Sequence, residues 1–400
     1  MKAHVPLVRR FAPAAIAALL LLNSGARAQT TQSTTPRKTD RPLNLLVLGD
    51  SISWGQGLKE EHKAWYLVKS WLQQNTGREV HERIEAHSGA VIGTVNQSEP
   101  LAFSDLDGEL SRAYPTIHGQ IDHALKMYAD PASVDLVLVD GCINDLDSRR
   151  LLNAANTPDG IRELAQAKCG PPVEALLIRI TNLFPNAQVV ITGYYPILSE
   201  KSANDFFMRA LAKRFYSPEA GVGAPKIDDK ILRARLIAIS REWYHTSDQM
   251  LSAAAWKIDA GLQAKGSHQR VLFADAGFTP EQSFAANHSR LWGFDASALR
   301  KLLVLFSLGR VQLRANDERR NQRDELCRQL WPRPVRESPE DKMIREDRLV
   351  RCRLAAVGHP NRKGAAMYAD AIGSLLKPLL ASSGWVKDAG SATTAVTPQR

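Results

Sequence analysis

The chain has 400 residues, of which 44% are hydrophobic and 24% charged, and its formal net charge is +10. This length and composition exclude a disordered chain and allow one large domain or two ordinary ones. The sequence contains no basic cluster interleaved with aromatic residues, so we do not expect nucleic acid as a partner.

The first 28 residues predict a signal peptide. Basic residues open the chain, an apolar run follows at 14–22, and Ala-Arg-Ala at 26–28 is a small-x-small cleavage site. A bilayer span needs about 20 apolar residues, so this run is too short, and we expect no stable membrane span elsewhere. We expect cleavage after Ala28 and a secreted or periplasmic protein of net charge +6. The alternative is an uncleaved anchor or a buried core helix.

Composition also divides the remainder of the chain. Residues 29–42 are rich in Thr, Ser and Gln and predict a flexible linker, and residues 387–400 predict a disordered tail. Between them we predict one domain over 43–386, with helical insertions around 199–265 and 278–350.

Strands and helices alternate through the predicted domain. Periodicity predicts, in chain order, a strand over 43–48, a helix over 64–72, strands over 79–86 and 134–139, a helix over 160–184, a strand over 187–194, one or two helices over 228–265, a strand over 270–274, a helix over 295–328, and a last helix from Pro360 to about 380. Nearly continuous apolar strands between helices favour a parallel sheet covered on both faces, hence the α/β class. Such sheets bind ligands beyond the carboxyl ends of their strands.

The segment 314–353 is dense in charged residues, and the chain contains four cysteines. Arg, Glu and Asp are interspersed in this segment, so we favour a solvated helical face over a binding surface. The four cysteines predict two disulfides in an exported chain, and three connectivities are possible. We expect the pairs with the shortest loops, Cys142–Cys169 and Cys327–Cys352, with buried free thiols as the alternative. No Cys-x-x-Cys pair occurs, so we expect no zinc or redox site.

Two polar motifs follow predicted strands. Gly49-Asp50-Ser51-Ile52 comes directly after the first strand, which places Ser51 at the carboxyl edge of the sheet. The motif Gly-Cys-Ile-Asn-Asp at 141–145 follows the third strand, and the amide of Asn144 is suited to donate to an oxyanion. Either motif alone is also ordinary turn chemistry.

Two further positions belong to the same edge. Gly89 follows the second strand, where a glycine lets the backbone N–H approach a substrate oxygen closely. His359 precedes Pro360, which suits the first turn of the last helix, so His359 is expected to project toward the sheet edge. A lone histidine is more often structural than catalytic, so we expect a catalytic role for His359 only together with the other three motifs.

The order of these four motifs resembles the GDSL-type (SGNH) esterase and lipase hydrolases. The resemblance spans roughly 43–380 and implies a three-layer α/β/α sandwich with a flavodoxin-like, mostly parallel five-stranded sheet. It implies Ser51 as nucleophile and His359 as base. It also implies an oxyanion hole formed by the Ser51 and Gly89 N–H groups and the Asn144 side chain. Ile52 stands where the family name has Leu.

One position departs from this pattern. The family usually carries Asp three residues before its His, and Ala356 occupies that position. A backbone carbonyl near Ala356, or an Asp from elsewhere, is then needed to orient the imidazole. Loss of the third member weakens catalysis without removing the nucleophile and the base. The same change leaves open a degenerate relative that only binds its ligand.

The resemblance implies an exported serine esterase or lipase that acts through an acyl-enzyme, without a metal or organic cofactor. Its substrate is a small-molecule, lipid or acylated carbohydrate ester, and we expect a monomer. The Gly-x-Ser-x-Gly elbow of the α/β-hydrolases is absent at Ser51, which disfavours that fold. The alternatives are a carbohydrate O-acetylesterase of the same fold and a catalytically weakened binding protein.

Overall fold

The structure is a computed structural model, and it describes residues 41–93, 108–110, 116–216, 228–295 and 314–386. The predicted signal peptide (1–28), the linker up to residue 40 and the tail (387–400) lie outside the described residues. The boundaries proposed for the domain and its insertions stay predictions.

The described core is a five-stranded sheet. Its strands are β1 Leu43–Val47, β2 Val80–Ile84, β3 Leu136–Val139, β4 Gln188–Thr192 and β5 Val271–Ala274. The spatial order is β2-β1-β3-β4-β5, and every neighbouring pair is parallel. This is the flavodoxin-like order, so the predicted fold class is confirmed.

The described helices lie between the strands and after the last strand. Their bounds are α1 Ser51–Trp54, α2 Ala64–Thr76, α3 Ile117–Met127, α4 Pro158–Cys169, α5 Pro171–Leu183, α6 Phe206–Phe215, α7 Asp229–Ala264, α8 Arg320–Leu330, α9 Pro339–Arg353, α10 Arg362–Leu376 and α11 Leu379–Ser382. Single 3₁₀ turns lie at Glu60–His62, Pro131–Ser133, Ser148–Leu152 and Pro280–Gln282.

Both faces of the sheet are covered, because successive side chains of a strand point to opposite sides. On β1, Leu45 and Val47 pack into an apolar layer with α2 and α10. Leu46 and Leu48 belong to the opposite layer, which α3, α4, α5 and α7 complete. These apolar strands are therefore buried on both sides, as a three-layer sandwich requires.

The helices differ from the sequence expectations at several places. The helix expected over 160–184 is two helices, because Gly170 and the two prolines that follow it end α4 and start α5. Helices α3 and α6 were not predicted, and the buried face of α3 includes the polar His118 and Gln120. Of the helix expected over 295–328, residues 296–313 lie outside the described residues, and the described part becomes helical at Arg320.

Two disulfides are present, and they are the expected pairs. Cys142 and Cys169 have Cα atoms 5.2 Å apart, and Cys327 and Cys352 have Cα atoms 5.9 Å apart. The first joins the loop after β3 to the end of α4, and the second joins α8 to α9. Among the described residues, no helix is long and apolar enough to cross a membrane.

Candidate active site

Ser51 lies at the carboxyl end of β1 and is the first residue of the short helix α1. Asp50 caps this helix, and its carboxylate accepts a hydrogen bond from the Ile52 N–H at 2.9 Å. Gly49 has a φ of +124°, a conformation that L side chains rarely adopt. The turn from strand to helix thus fixes Ser51 at the edge of the sheet.

Asp140 holds this turn from the end of β3. Its carboxylate accepts the Asp50 N–H at 2.6 Å and the Ser53 N–H at 2.9 Å. A Cβ atom on Gly49 would lie 1.8 Å from the Asp140 Oδ1 atom. Glycine is therefore required at position 49 for the close approach of this carboxylate as well as for its φ.

Asp50 and Asp140 form a buried carboxyl pair beneath Ser51. Both are almost fully buried, with 0% and 1% exposure. Burial, with the charge of Asp140 added, raises the pKa of Asp50 well above its usual value. Burial also raises the pKa of Asp140, although hydrogen bonds from Asp50 and Ser53 oppose the shift. Because Asp140 accepts two backbone N–H groups, we assign the negative charge to Asp140 and the shared proton to Asp50.

His359 contacts the hydroxyl of Ser51. Its Nε2 atom lies 2.7 Å from the Ser51 Oγ atom. The backbone around His359 is paired with Trp292, since the His359 carbonyl accepts from the Trp292 N–H at 2.7 Å and the Gly358 N–H donates to the Trp292 carbonyl at 2.9 Å. Tyr195 donates its hydroxyl to the Gly358 carbonyl at 2.9 Å. These contacts fix the backbone that presents the imidazole.

Helix α10, which follows His359, begins later than the sequence predicts. Its N-cap is Asn361, whose side chain accepts from the N–H groups of Lys363 and Gly364, and α10 starts at Arg362. Pro360 therefore precedes the cap rather than lying in the first turn. The asparagine side chain supplies the capping acceptor that proline lacks.

The Nδ1 atom of His359 is buried and has no hydrogen-bond partner among the described residues. Burial first, and then the Arg323 guanidinium, lower the pKa of His359 to about 4. Glu109 and the carbonyls of Ala356 and Val357 act in the opposite direction. The position three residues before the histidine supplies only a backbone carbonyl, which accepts the His359 N–H at 3.0 Å. The imidazole is therefore neutral at neutral pH and able to accept a proton.

A buried ion cluster lies close to this histidine. Arg323 is 1% exposed, donates to Asp317 at 2.6 Å, and forms a second ion pair with Glu109. Glu109 also accepts from Trp54 at 3.1 Å and from the Gly57 N–H at 3.1 Å. The charged segment that contains Arg323 is thus not only a solvated face. Part of it is buried because its charges are paired.

Asn144 and Gly89 lie on two loops that are tied together. The Asn144 side chain donates one N–H to the Ala90 carbonyl at 2.9 Å, which leaves its second N–H for another acceptor. Asp145 accepts from the Ile92 N–H at 3.0 Å. Gly89 has a φ of +83°, which favours glycine at this turn.

A cavity of about 990 Å³ lies beside these residues. Ser51, Gly89, Asn144 and His359 all line it. The structure therefore places the four sequence-predicted site residues around one space and brings two of them into hydrogen-bond contact. Asp140, Glu109 and Arg323 were not among the predicted site residues. Asp140 directly follows the apolar residues of β3, and this position at a strand end was the signal that could have found it.

Comparison with known proteins gives similarities in structure only. No protein-family model matches the chain, and no curated protein matches its sequence. An extracellular lipase from Streptomyces rimosus is similar at 16% identity and a TM-score of 0.34, over 62% of this chain and 87% of the lipase. A phospholipase A1 from Streptomyces albidoflavus is similar at 14% identity and a TM-score of 0.36, over 62% and 86%. A carbohydrate acetylesterase from Sinorhizobium meliloti is similar at 15% identity and a TM-score of 0.27, over 61% and 87%.

Proposed function

We propose that the chain is a serine hydrolase of the GDSL-type (SGNH) kind, which cleaves carboxylic esters through an acyl-enzyme on Ser51. The observation that carries this proposal is the 2.7 Å contact between His359 Nε2 and Ser51 Oγ, at the carboxyl edge of a parallel sheet and facing a cavity. A nucleophile and its base within hydrogen-bond reach are the minimum for this chemistry.

In the proposed reaction, His359 removes the Ser51 proton while Oγ attacks the ester carbonyl. The developing oxyanion is held by the second Asn144 N–H and by the backbone N–H groups of Gly89 and Ser51. His359 then donates its proton to the leaving oxygen. Water, activated by the same imidazole, hydrolyses the acyl-enzyme and restores Ser51.

The absence of the aspartate leaves the proposed reaction unchanged but removes the carboxylate that would orient His359 and stabilise its charged form. The carbonyls of Ala356 and Val357 raise the pKa of His359 against burial, although Nδ1 forms no hydrogen bond of ordinary geometry with either. Neutral carbonyls favour the tautomer with hydrogen on Nδ1 and leave Nε2 free to accept the Ser51 proton. They stabilise the imidazolium less than a carboxylate does, so we propose a slower dyad enzyme rather than a binding protein.

Labelling with a fluorophosphonate probe tests whether Ser51 is activated. We expect one covalent adduct, located on Ser51 by peptide mapping and lost in Ser51→Ala and His359→Ala. Ser88 supplies the matched control, because its buried hydroxyl lines the same cavity without a partner among the described residues. Ser88→Ala should keep the adduct. Labelling on Ser88, or no labelling of folded protein, would contradict the proposal and favour a protein that only binds.

We also propose that the protein is exported and cleaved after Ala28. Two disulfides fit an oxidising compartment, where such bonds persist. Amino-terminal sequencing of the protein from the periplasm or the medium should begin at Gln29. Full-length protein retained in the reducing cytoplasm would contradict export.

A further inference from the structure

Two groups of residues that line the cavity beside Ser51 differ in chemistry, and most of their apolar members belong to separate hydrophobic clusters. One group, which we call the acyl arm, consists of Leu198, Met208, Ala212, Leu232 and Leu236. The other group, which we call the alcohol arm, consists of Leu330, Trp331, Arg348, Arg351 and Leu354. We infer that the acyl arm takes a medium or long aliphatic acyl chain and that the alcohol arm selects an anionic alcohol. This inference rests on the proposed function and names the substrate of the same site.

The acyl arm is aliphatic because two helices turn one face toward it. Met208 and Ala212 are one turn apart on α6, and Leu232 and Leu236 are one turn apart on α7. Leu232 and Leu236 are 3% and 5% exposed. A total volume of about 990 Å³ lies at the upper end of the range for ligand pockets, much more than an acetyl group fills.

The chemistry of proton transfer decides which arm holds the alcohol. The leaving oxygen must receive a proton from His359, so the alcohol lies on the His359 side of the scissile carbonyl. The chain that carries His359 continues directly from α9, the helix of Arg348 and Arg351. The alcohol therefore meets the alcohol arm, and the acyl chain is directed toward α6 and α7.

Arg348 is the charge that distinguishes the alcohol arm. It forms no ion pair within the part of the chain that the structure describes, whereas Arg351 pairs with Asp347 at 2.7 Å. Arg348 and Arg351 are three residues apart on α9 and so share one side of it. A guanidinium without a partner binds phosphate and carboxylate groups alike, since its planar fork matches both.

The other charged groups of the cavity are mostly satisfied. Arg149 pairs with Asp147 at 2.7 Å, and Asp229 pairs with Lys213 at 2.8 Å. Arg233 donates to backbone carbonyls at 2.8 and 2.9 Å. Glu109 is paired with Arg323.

Arg209, on α6 beside the acyl arm, also has no ion pair among the described residues, and unlike Arg233 it has no hydrogen bond to a backbone carbonyl there either. Its position makes it the control for the assignment of the arms. If the anionic group of the substrate lay on the acyl side, Arg209 rather than Arg348 would determine the preference for it.

The test compares kcat/KM for soluble esters that differ in one feature. Acyl preference is measured with p-nitrophenyl esters from acetyl to octanoyl, and we expect a gain of about fourfold per methylene that enters the acyl arm. Ala212→Phe fills this arm and should lower the octanoyl-to-acetyl ratio roughly tenfold. Ala212→Val, a smaller change, should lower it less and guards against misfolding of the larger variant.

Alcohol preference is measured with two matched pairs. The octanoyl ester of glycerol 3-phosphate is compared with octanoylglycerol, and the octanoyl ester of glycolate with that of ethylene glycol. We expect the anionic member to be preferred. Arg348→Gln should lower that preference roughly fivefold at low ionic strength and less in high salt. The two pairs distinguish phosphate from carboxylate as the anion. Lys342→Gln, elsewhere on α9 and outside the cavity lining, should leave the ratio unchanged.

The possible outcomes distinguish a failure of this inference from a failure of the proposed esterase function. Hydrolysis of all esters without a chain-length or charge preference overturns the inference and leaves the esterase. A loss of anion preference in Arg209→Gln but not in Arg348→Gln overturns the assignment of the arms. Preference for acetylated sugars over octanoyl esters overturns the acyl arm and favours the O-acetylesterase. If no ester is hydrolysed at all, the proposed function fails and the inference falls with it.

Discussion

Replacing Ala356 by Asp restores a carboxylate at the one position where the chain departs from the family pattern. The Nδ1 atom of His359 has no hydrogen-bond partner among the described residues, and burial holds the pKa of the imidazole at about 4. A carboxylate beside an imidazole raises its pKa by roughly 1–3 units. Only the neutral imidazole is a base, so the acidic limb of kcat/KM should move to higher pH.

The size of the effect follows from the two pKa values. If the pKa moves from about 4 to about 6, the neutral fraction of His359 at pH 5 falls from about nine tenths to about one tenth. Activity at pH 5 should then fall relative to activity at pH 8. The rate at pH 8 should rise, because the carboxylate stabilises the imidazolium that forms during the reaction.

The new side chain must fit a tight space, so a matched control is needed. Ala356 is fully buried, and a Cβ on Gly57 would lie 2.8 Å from the Ala356 Cβ. Ala356→Asn has nearly the same shape as Ala356→Asp without the charge. Both should lose stability, by about 1–3 kcal/mol for an overpacked site. Only the Asp variant should shift the acidic limb.

The assay is the pH profile of kcat/KM on a short p-nitrophenyl ester for wild type and both variants, with folding checked by circular dichroism. Coincident acidic limbs for the folded Asp and Asn variants would refute the assignment of an unpartnered Nδ1. His359→Ala then separates the two remaining explanations. Lost activity means that Nδ1 already has a partner, and retained activity removes His359 from the mechanism.

Three further substitutions test the contacts that hold the loops after β1 and β3. Gly49→Ala should lower both Tm and turnover, because its Cβ would lie 1.8 Å from Asp140 Oδ1, and an unchanged melting curve would contradict that packing. Asp140→Asn should lower kcat roughly tenfold with KM nearly unchanged, because an amide oxygen cannot replace both carboxylate acceptors, and a change in KM alone would oppose a positioning role. Replacing Cys142 and Cys169 by Ser should reduce the free energy of unfolding, measured in urea, by about 3.5 kcal/mol, because the disulfide closes a loop of 27 residues in the unfolded chain. An unchanged urea midpoint would argue against this constraint.

The strands were predictable because their residues are buried on both faces. Residues 43–48 are almost continuously apolar, and this pattern alone predicts a buried parallel strand. Helix α3 was not predictable in the same way. Its Gln120 is buried because its side chain exchanges two hydrogen bonds of 2.8 Å with the Gly49 backbone. A polar residue on the buried face interrupts the apolar periodicity that would predict a helix.

The site was predictable in part for a similar reason. Ser51, Asn144 and His359 could be singled out because each follows a strand or precedes a helix at the edge where parallel strands end. The Asp140 contact to the Ser51 turn depends on a register between β1 and β3 that no local pattern specifies. Likewise, Glu109 and Arg323 are far apart in the chain, and only the tertiary fold pairs them.

Trapping the acyl-enzyme shows directly whether Ser51 is the nucleophile. Folded protein is mixed with excess p-nitrophenyl octanoate, quenched in acid within milliseconds, and analysed by intact mass and peptide mapping. We expect the gain of one octanoyl group on the peptide that contains Ser51, accompanied by a burst of p-nitrophenol and absent in Ser51→Ala. Ester turnover by Ser51→Ala at the wild-type rate, or an octanoyl group on any other residue, would contradict this role of Ser51.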